Sequence, residues 1–231
     1  MINIEEYKQK IFTKLEPSGW GRVFKPFIFS IEFEKILIEL HQNSIDGKRF
    51  TPPLKDVFRA FEECPYDDLK AVIVGQDPYP TLGVADGIAF SCSKTDKEQP
   101  SLKFIHDEIE KMYPSGYERP LDLTRWTRSG ILLINTAFTT EVGKVGKHYD
   151  LWAPFVAYLF DYLKSFNSNL VYLYLGKQAQ EWSDVCGDNC VKFTASHPAS
   201  AVYNGGKWNS KEAFKNVQDT VKLLHNYTIN W

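Results

Sequence analysis

The chain has 231 residues, of which 43% are hydrophobic and 15% aromatic, so it can bury a sizeable core in one large or two small domains. Its 27 Lys and Arg against 29 Asp and Glu give a formal net charge of −2, which excludes a generally basic nucleic-acid binder but allows a local positive face. No secretory segment opens the chain, and no run approaches the ~20 apolar residues of a membrane span. We therefore expect a soluble cytoplasmic protein without a membrane partner, or a nuclear one in a eukaryote.

The first half of the chain is predicted to be mainly helical, with one buried strand. Apolar spacing with charged outer faces predicts helices over 5–15 and 31–44, and a proline turn precedes a short helix within 51–65. The run "AVIVG" is short, apolar and β-branched, which predicts a strand at 71–75 covered on both faces. Residues 100–113 are predicted to form a helix that Ser101 could cap.

In the second half, predicted strands alternate with predicted helices. The strands are expected at 130–138, 169–176 and 191–198, and the helices at 150–166, 178–185 and 209–227, the last with an Asn or Ser cap. This alternation predicts an α/β fold with a central four-stranded, mostly parallel sheet covered by helices on both faces. Without an internal repeat or a linker, we expect one domain over 1–231, in which 1–49 is a helical segment.

Polar side chains follow the predicted strands where each strand ends. Asp77 lies in a loop stiffened by Pro78 and Pro80, Asn135 ends the second strand, and His197 follows the fourth. In open α/β sheets, ligands bind outside the carboxyl ends of the strands. Each residue alone has a structural explanation, such as a turn or a helix cap. Together they indicate chemistry by a carboxylate, an amide and an imidazole, because no nucleophile elbow, phosphate loop or metal-spaced cluster accompanies them. We expect no cofactor and no metal.

The four cysteines do not form a recognisable metal site. Cys186 and Cys190 are separated by three residues and have neither a second pair nor a nearby histidine, which disfavours zinc. We expect these two, like Cys64 and Cys92, to be free, reduced thiols.

Several motifs resemble those of the family-1 uracil-DNA glycosylases and occur in that family's order and spacing. They are "GQDPY" (75–79), "GIAFS" (87–91), "PSL" (100–102), "LLINT" (132–136), "SHPAS" (196–200) and "INW" (229–231). The resemblance implies an enzyme that hydrolyses the N-glycosidic bond of deoxyuridine in DNA and releases free uracil. It also implies a monomer that acts on single- and double-stranded DNA, with a DNA-mimicking protein as a candidate inhibitor.

The resemblance assigns the chemistry to two residues. Asp77 is the implied catalytic carboxylate, which would orient the attacking water and stabilise an oxocarbenium-like sugar. His197, as a neutral imidazole, would donate a hydrogen bond to the uracil oxygen on which negative charge develops. Gln76 would contribute its backbone amide to the same base.

Three further side chains are implied to select the base. The Asn135 amide can donate to a uracil carbonyl and accept from the ring N–H, a pattern that cytosine reverses. Phe90 would stack on the flipped base, although core packing would also explain a phenylalanine there. Tyr79 would stand against C5 of uracil and exclude the methyl group of thymine.

Contacts with the DNA backbone are expected from small polar residues and loop amides. His148 is a candidate for a phosphate contact next to Lys147, whose charge a solvated surface explains equally well. The full set of candidate DNA-binding residues is Pro100, Ser101, His148, Gly176, Lys177, Ser196, Ala199, Ser200, Ala201 and Tyr203.

The chain departs from the family pattern at four places. Pro80 stands where histidine is usual, Asp86 replaces the histidine of "AHG", and Lys177 replaces a serine. The usual "HPSPLS" is shortened to "HPASA", so the leucine that enters the vacated base stack has no clear counterpart. Ala201 is the nearest position, with Val202 or Tyr203 as substitutes. A small Ala201 predicts a stronger preference for single-stranded DNA.

Two other functions remain open at this point. The first is a glycosylase-like DNA-binding replication subunit with little or no catalytic role, which the presence of Asp77, Asn135 and His197 disfavours. The second is a glycosylase for another base, against which Tyr79 and Asn135 favour uracil.

Overall fold

The computed structural model describes residues 3–113, 115–166, 169–187 and 190–231. The α-helices in these ranges are α1 (Ile4–Leu15), α2 (Trp20–Ile28), α3 (Ile31–Ile45), α4 (Arg59–Glu63), α5 (Pro100–Glu110), α6 (Thr124–Arg128), α7 (Tyr149–Phe166), α8 (Lys177–Gln180) and α9 (Ala213–His225). The strands are β1 (Phe50–Thr51), β2 (Ala71–Gly75), β3 (Ile131–Asn135), β4 (Thr140–Glu141), β5 (Val171–Leu175) and β6 (Val191–Ala195). None of the described helices is long and apolar enough to cross a membrane.

The central sheet has four strands in the order β3-β2-β5-β6, and each neighbouring pair is parallel. Gly75 is in register with Asn135, and Leu175 with Ala195. The carboxyl ends of these strands therefore meet at one edge of the sheet. The predicted parallel sheet is confirmed.

The two central strands of the sheet are buried because helices flank it. Every residue of β2 and β5 is buried, as expected for short apolar strands covered on both faces. Helices α4 and α6 pack against β3, whereas α9 packs against β5 and β6. The predicted α/β fold class is confirmed.

Helix α2 is an element that the sequence analysis did not predict. Glycines at 19 and 21 and a proline inside the helix obscure its apolar spacing. Packing holds it in place: Trp20 and Phe24 are fully buried, and their rings stack with centroids 5.1 Å apart. The Trp20 indole also donates to the Cys64 carbonyl over 2.8 Å. Tertiary contacts thus override weak local propensity.

Several predicted boundaries are wrong. The segment 51–65 forms a 3₁₀ turn (Leu54–Asp56) followed by α4, and the helix predicted at 178–185 is only the four residues of α8. Ser101 does not cap α5, because Gln99 occupies the cap position and Pro100 begins the helix. The cap of α9 is Glu212 in a left-handed conformation, with φ of 55°, instead of the expected Asn or Ser.

The cysteines also differ from expectation. Cys186 and Cys190 form a disulfide, with their Cα atoms 6.2 Å apart, so the prediction of free thiols is wrong for this pair. Cys64 and Cys92 are free and buried.

Candidate active site

A cavity of about 330 Å³ opens at the carboxyl edge of the central sheet. Loops after three of the strands line it, as expected for a ligand site in a parallel sheet. The predicted site residues that line this cavity are Gln76, Asp77, Tyr79, Phe90, Pro100, Ser101, Asn135, His197 and Ala199. The structure therefore brings together every residue that the sequence analysis placed in catalysis or base binding.

Asp77 follows β2, and its carboxylate is held by a glycine-rich turn before α7. The Gly146 N–H donates to Oδ2 over 2.6 Å, and the Tyr149 hydroxyl lies 3.5 Å from Oδ1. Burial raises the pKa of Asp77, and these two hydrogen bonds oppose that shift by favouring the charged form. The sequence analysis missed Gly146 and Tyr149. The two glycines of "GKVGKHY" could have indicated a tight turn whose backbone closely approaches another part of the protein.

His197 follows β6 and begins a 3₁₀ helix, Pro198–Asn204. Its Nδ1 accepts the backbone N–H of Ala199 over 3.3 Å, which places the proton of the neutral ring on Nε2. Burial lowers the pKa of His197 to about 4, so the ring is neutral at pH 7. The residue is therefore a neutral donor through Nε2 at the cavity wall.

Asn135 and Phe90 meet over Gly75, the last residue of β2. A Cβ atom at position 75 would lie 2.3 Å from Asn135 Oδ1 and 2.9 Å from Phe90 Cζ. Only glycine leaves room for the amide and the ring at this edge. The rings of Phe90 and His197 are also neighbours, with centroids 6.0 Å apart.

Phe90 adopts a left-handed backbone conformation, with φ of 66°. Such a conformation costs about 1–3 kcal/mol in a residue other than glycine and persists only where the surroundings impose it. One restraint is Tyr79, whose hydroxyl donates to the Phe90 carbonyl over 2.9 Å. Burial raises the pKa of Tyr79, which keeps this hydroxyl protonated as a donor. Phe90, which is predicted to stack on the base, and Tyr79, which is predicted to exclude the thymine methyl group, are thus joined by a hydrogen bond.

Comparison with known proteins places the chain in a family. The model of the uracil DNA glycosylase superfamily matches residues 61–222. The chain belongs to the uracil-DNA glycosylase superfamily.

Relatives of this superfamily member extend over nearly its whole length. It is 34% identical over 225 residues to the uracil-DNA glycosylase of Dichelobacter nodosus, covering 95% of this chain and 96% of the relative. It is 33% identical over 204 residues to that of Actinobacillus succinogenes, covering 86% and 90%. Among solved structures, mimivirus uracil-DNA glycosylase superposes with a TM-score of 0.81 at 25% identity, covering 93% of this chain and 86% of that one. A mimivirus UNG variant in complex with UGI gives a TM-score of 0.82 at 25% identity, with coverages of 92% and 87%.

In this superfamily member, several predicted DNA contacts lie outside the cavity but near its mouth. Lys177 and Ser196 are exposed, and the Ser200 hydroxyl donates to Ser196 Oγ over 3.3 Å. Gly176 has φ of 97°, and a Cβ atom there would lie 2.9 Å from His197 Cβ. The loops after β5 and β6 are therefore packed together beside the catalytic imidazole candidate.

Three predicted DNA contacts of this superfamily member have buried side chains, and one of them, Ser101, still lines the cavity. His148 is 4% exposed, and its Nδ1 hydrogen-bonds Thr139 Oγ1 over 2.8 Å inside the protein. Ala201 is fully buried because the 3₁₀ helix turns it inward, whereas Val202 and Tyr203 are 58% and 90% exposed. The side chains of His148 and Ala201 thus offer no surface to DNA, and the apolar tip of this loop is formed by Val202 and Tyr203.

Proposed function

We propose that the protein removes uracil from DNA by hydrolysing the N-glycosidic bond of deoxyuridine, leaving an abasic site. The observation that carries this proposal is the convergence of Asp77, Asn135 and His197 from three parallel strands onto one cavity. Membership of the uracil-DNA glycosylase superfamily supports it. This function would place the enzyme at the first step of base excision repair.

Base recognition would follow from the shape of the cavity. A base inside a duplex cannot reach the carboxyl edge of the sheet, so the nucleotide must rotate out of the stack. Phe90 would stack on the flipped base, Asn135 would pair with the uracil edge, and Tyr79 would face C5. Cytosine would leave the buried Asn135 amide unpaired, at a cost of about 1–3 kcal/mol.

In the chemical step, two residues would stabilise the opposite charges that develop on the sugar and on uracil. As the bond between C1′ and N1 breaks, its electron pair leaves with uracil and positive charge develops on the sugar. The Asp77 carboxylate would stabilise that positive charge and accept a proton from the water whose oxygen bonds to C1′. The Nε2–H of His197 would donate to the uracil oxygen that gains negative charge. Its low pKa is compatible with this role, because the neutral imidazole still carries one N–H that can donate.

The surroundings of the cavity support the proposed partners. Pro100, Ser101, Lys177, Ser196 and Ser200 are proposed to contact the backbone of single- or double-stranded DNA. We propose a cytoplasmic monomer that a DNA-mimicking protein could inhibit by covering the same face. The complex of a mimivirus UNG variant with UGI supports the inhibitor proposal.

The test is release of free uracil from a single-stranded oligonucleotide in the presence of EDTA. Wild-type protein should release uracil, whereas Asp77→Asn should lower the rate by about 10²–10⁴-fold because the charge acts mainly in the transition state. Binding to the oligonucleotide should persist in this variant. Asp67→Asn removes an exposed carboxylate that pairs with Arg22 and should retain wild-type activity. Near-normal turnover of Asp77→Asn would contradict the proposed role.

A further inference from the structure

Asp86 is a completely buried carboxylate that the proposed chemistry does not use. Its Oδ1 accepts the Ile88 backbone N–H over 3.1 Å. Its Oδ2 accepts the Ser91 hydroxyl over 2.7 Å, and the backbone N–H and hydroxyl of Ser93 over 2.9 and 2.5 Å. The Asp86 carboxylate thus accepts hydrogen bonds from three residues of the loop from 86 to 93. This is also one of the positions at which the sequence departs from the family pattern.

The donors to Asp86 lie on both sides of Phe90. Ile88 precedes Phe90, and Ser91 and Ser93 follow it, so the carboxylate closes the loop around the residue with φ of 66°. Ser91 Oγ also accepts the Leu123 backbone N–H over 3.2 Å, which fastens the loop to the segment before α6. The left-handed Phe90 is therefore flanked on both sides by residues that donate hydrogen bonds to one buried carboxylate.

Arg59 supplies the opposite charge. Its Nη1 lies 3.0 Å from Asp86 Oδ2, and its Nη2 donates to Asp122 Oδ1 over 3.0 Å and to Thr124 Oγ1 over 2.6 Å. Removing one partner of a buried ion pair is strongly destabilising, so the Asp86 carboxylate and the Arg59 guanidinium depend on each other. This ion pair also links the loop to helix α4.

We propose that Asp86, paired with Arg59, is a positioning residue for base recognition that acts through Phe90. By fixing the loop from 86 to 93, it would hold the Phe90 ring over Gly75. Asp86 itself touches no substrate. The inference rests on the proposed function, because it assigns Phe90 to stacking on the flipped base.

A double-mutant cycle separates this role from simple stabilisation. Asp86→Asn turns one acceptor into a donor that faces other donors, so the loop should relax. Misplacement of a substrate-positioning group by about 1 Å can cost ~10²-fold, and we expect kcat/KM for uracil release to fall by ~10–100-fold. In a Phe90→Ala background, the same substitution should change kcat/KM by less than about twofold, because there is no ring left to position. Urea unfolding should show the same loss of stability in both backgrounds.

A milder variant covers the case in which Asp86→Asn does not fold. Ser93 is exposed, and Ser93→Ala removes one hydroxyl donor to Asp86. It should lower kcat/KM by about two- to tenfold with wild-type Phe90 and leave it unchanged with Phe90→Ala. The matched control is Asp107→Asn on α5, which removes a carboxylate paired with Arg119 over 2.7 Å and should not alter kcat/KM.

The outcomes distinguish this inference from the proposed function. If wild-type protein releases no uracil, the proposed function fails. If wild-type protein is active but Asp86→Asn or Ser93→Ala lowers kcat/KM by the same factor in both backgrounds, Asp86 only stabilises the fold and this inference is wrong. An effect that disappears with Phe90→Ala supports it.

Discussion

Tyr79 is restrained at both ends of its side chain. Its backbone lies between Pro78 and Pro80, and its hydroxyl donates to the Phe90 carbonyl over 2.9 Å. An apolar pocket discriminates a methyl group by only ~1–3 kcal/mol if its wall can move. Because neither end of Tyr79 is free, the ring can act as a rigid barrier to a group at C5.

Removal of this ring should admit thymine. We expect Tyr79→Ala to release thymine slowly while it continues to release uracil, because the C5 methyl group would enter the vacated space. Tyr79→Phe keeps the ring and should retain most of the discrimination. Both products can be measured by chromatography on oligonucleotides that differ only in the target base. A folded Tyr79→Ala variant that releases uracil but no thymine would show that Tyr79 is not the sole barrier.

Site residues that directly follow a strand could be predicted from the sequence. Site residues whose partners depend on the path of a loop could not. Asp77, Asn135 and His197 were predictable because the carboxyl ends of parallel strands share one edge. No such rule relates Arg59 to Asp86, or Tyr149 to Asp77, since each pair joins distant segments through side-chain contacts. The role of Asp86 required the observation that its donors lie on both sides of Phe90.

Among the elements, the 3₁₀ helix Pro198–Asn204 decides which side chains of its loop are exposed. It buries Ala201 and leaves Tyr203 90% exposed, two residues before Gly205, which is in a left-handed conformation with φ of 63°. Position along "HPASA" points to Ala201 first, with Val202 or Tyr203 as substitutes. The direction of a side chain depends on the type of turn, which short segments do not specify on their own. The same limit explains the wrong boundaries of α8 and α9.

Because Tyr203 is exposed and Ala201 is buried, we expect a substitution at Tyr203 to affect activity on duplex DNA. We expect Tyr203→Ala to lower uracil release from duplex DNA about tenfold and to change release from single-stranded DNA little. An aromatic ring that stacks in the vacated space offsets ~1–3 kcal/mol of lost base stacking, which a single strand does not require. Initial rates on both substrates should be compared at matched salt, because phosphate contacts make binding salt-dependent.

The control for this comparison is Leu223→Ala, which removes an 81% exposed apolar side chain from α9 and should leave the ratio of the two rates unchanged. If Tyr203→Ala leaves the ratio unchanged while Val202→Ala lowers duplex activity, the adjacent valine enters the stack instead.

For the whole molecule, a buried histidine outside the cavity links stability to pH. His106 on α5 is fully buried, with Nε2 donating to the Pro120 carbonyl over 3.0 Å and Nδ1 lying 2.9 Å from the Tyr117 hydroxyl. Burial lowers the pKa of His106 from 6.5 to about 4. Between these values the unfolded chain binds a proton that the folded protein does not, so stability falls as pH falls through this range. His197 acts in the same direction.

We expect the free energy of unfolding to decrease between pH 6.5 and 4, with a contribution from His106 of up to about 3 kcal/mol. His106→Gln removes that titration and should flatten the dependence, whatever its effect on stability at pH 7. Urea unfolding of both proteins at several pH values measures the slopes. Above pH 7 the two slopes should coincide. Equal slopes below pH 6.5 would show that His106 does not bind a proton differently in the two states.

The order of the strands in the sheet has a consequence for synthesis on the ribosome. Strand β2, which ends beside Asp77, is the first strand of the central sheet to be made but lies inside it, between partners at residues 131–135 and 171–175. At about 5–20 residues per second, its first partner follows several seconds later. During that interval an apolar β-branched segment has no sheet to join. The yield of folded enzyme should therefore depend on how well the nascent chain is shielded while the rest of the sheet is being translated.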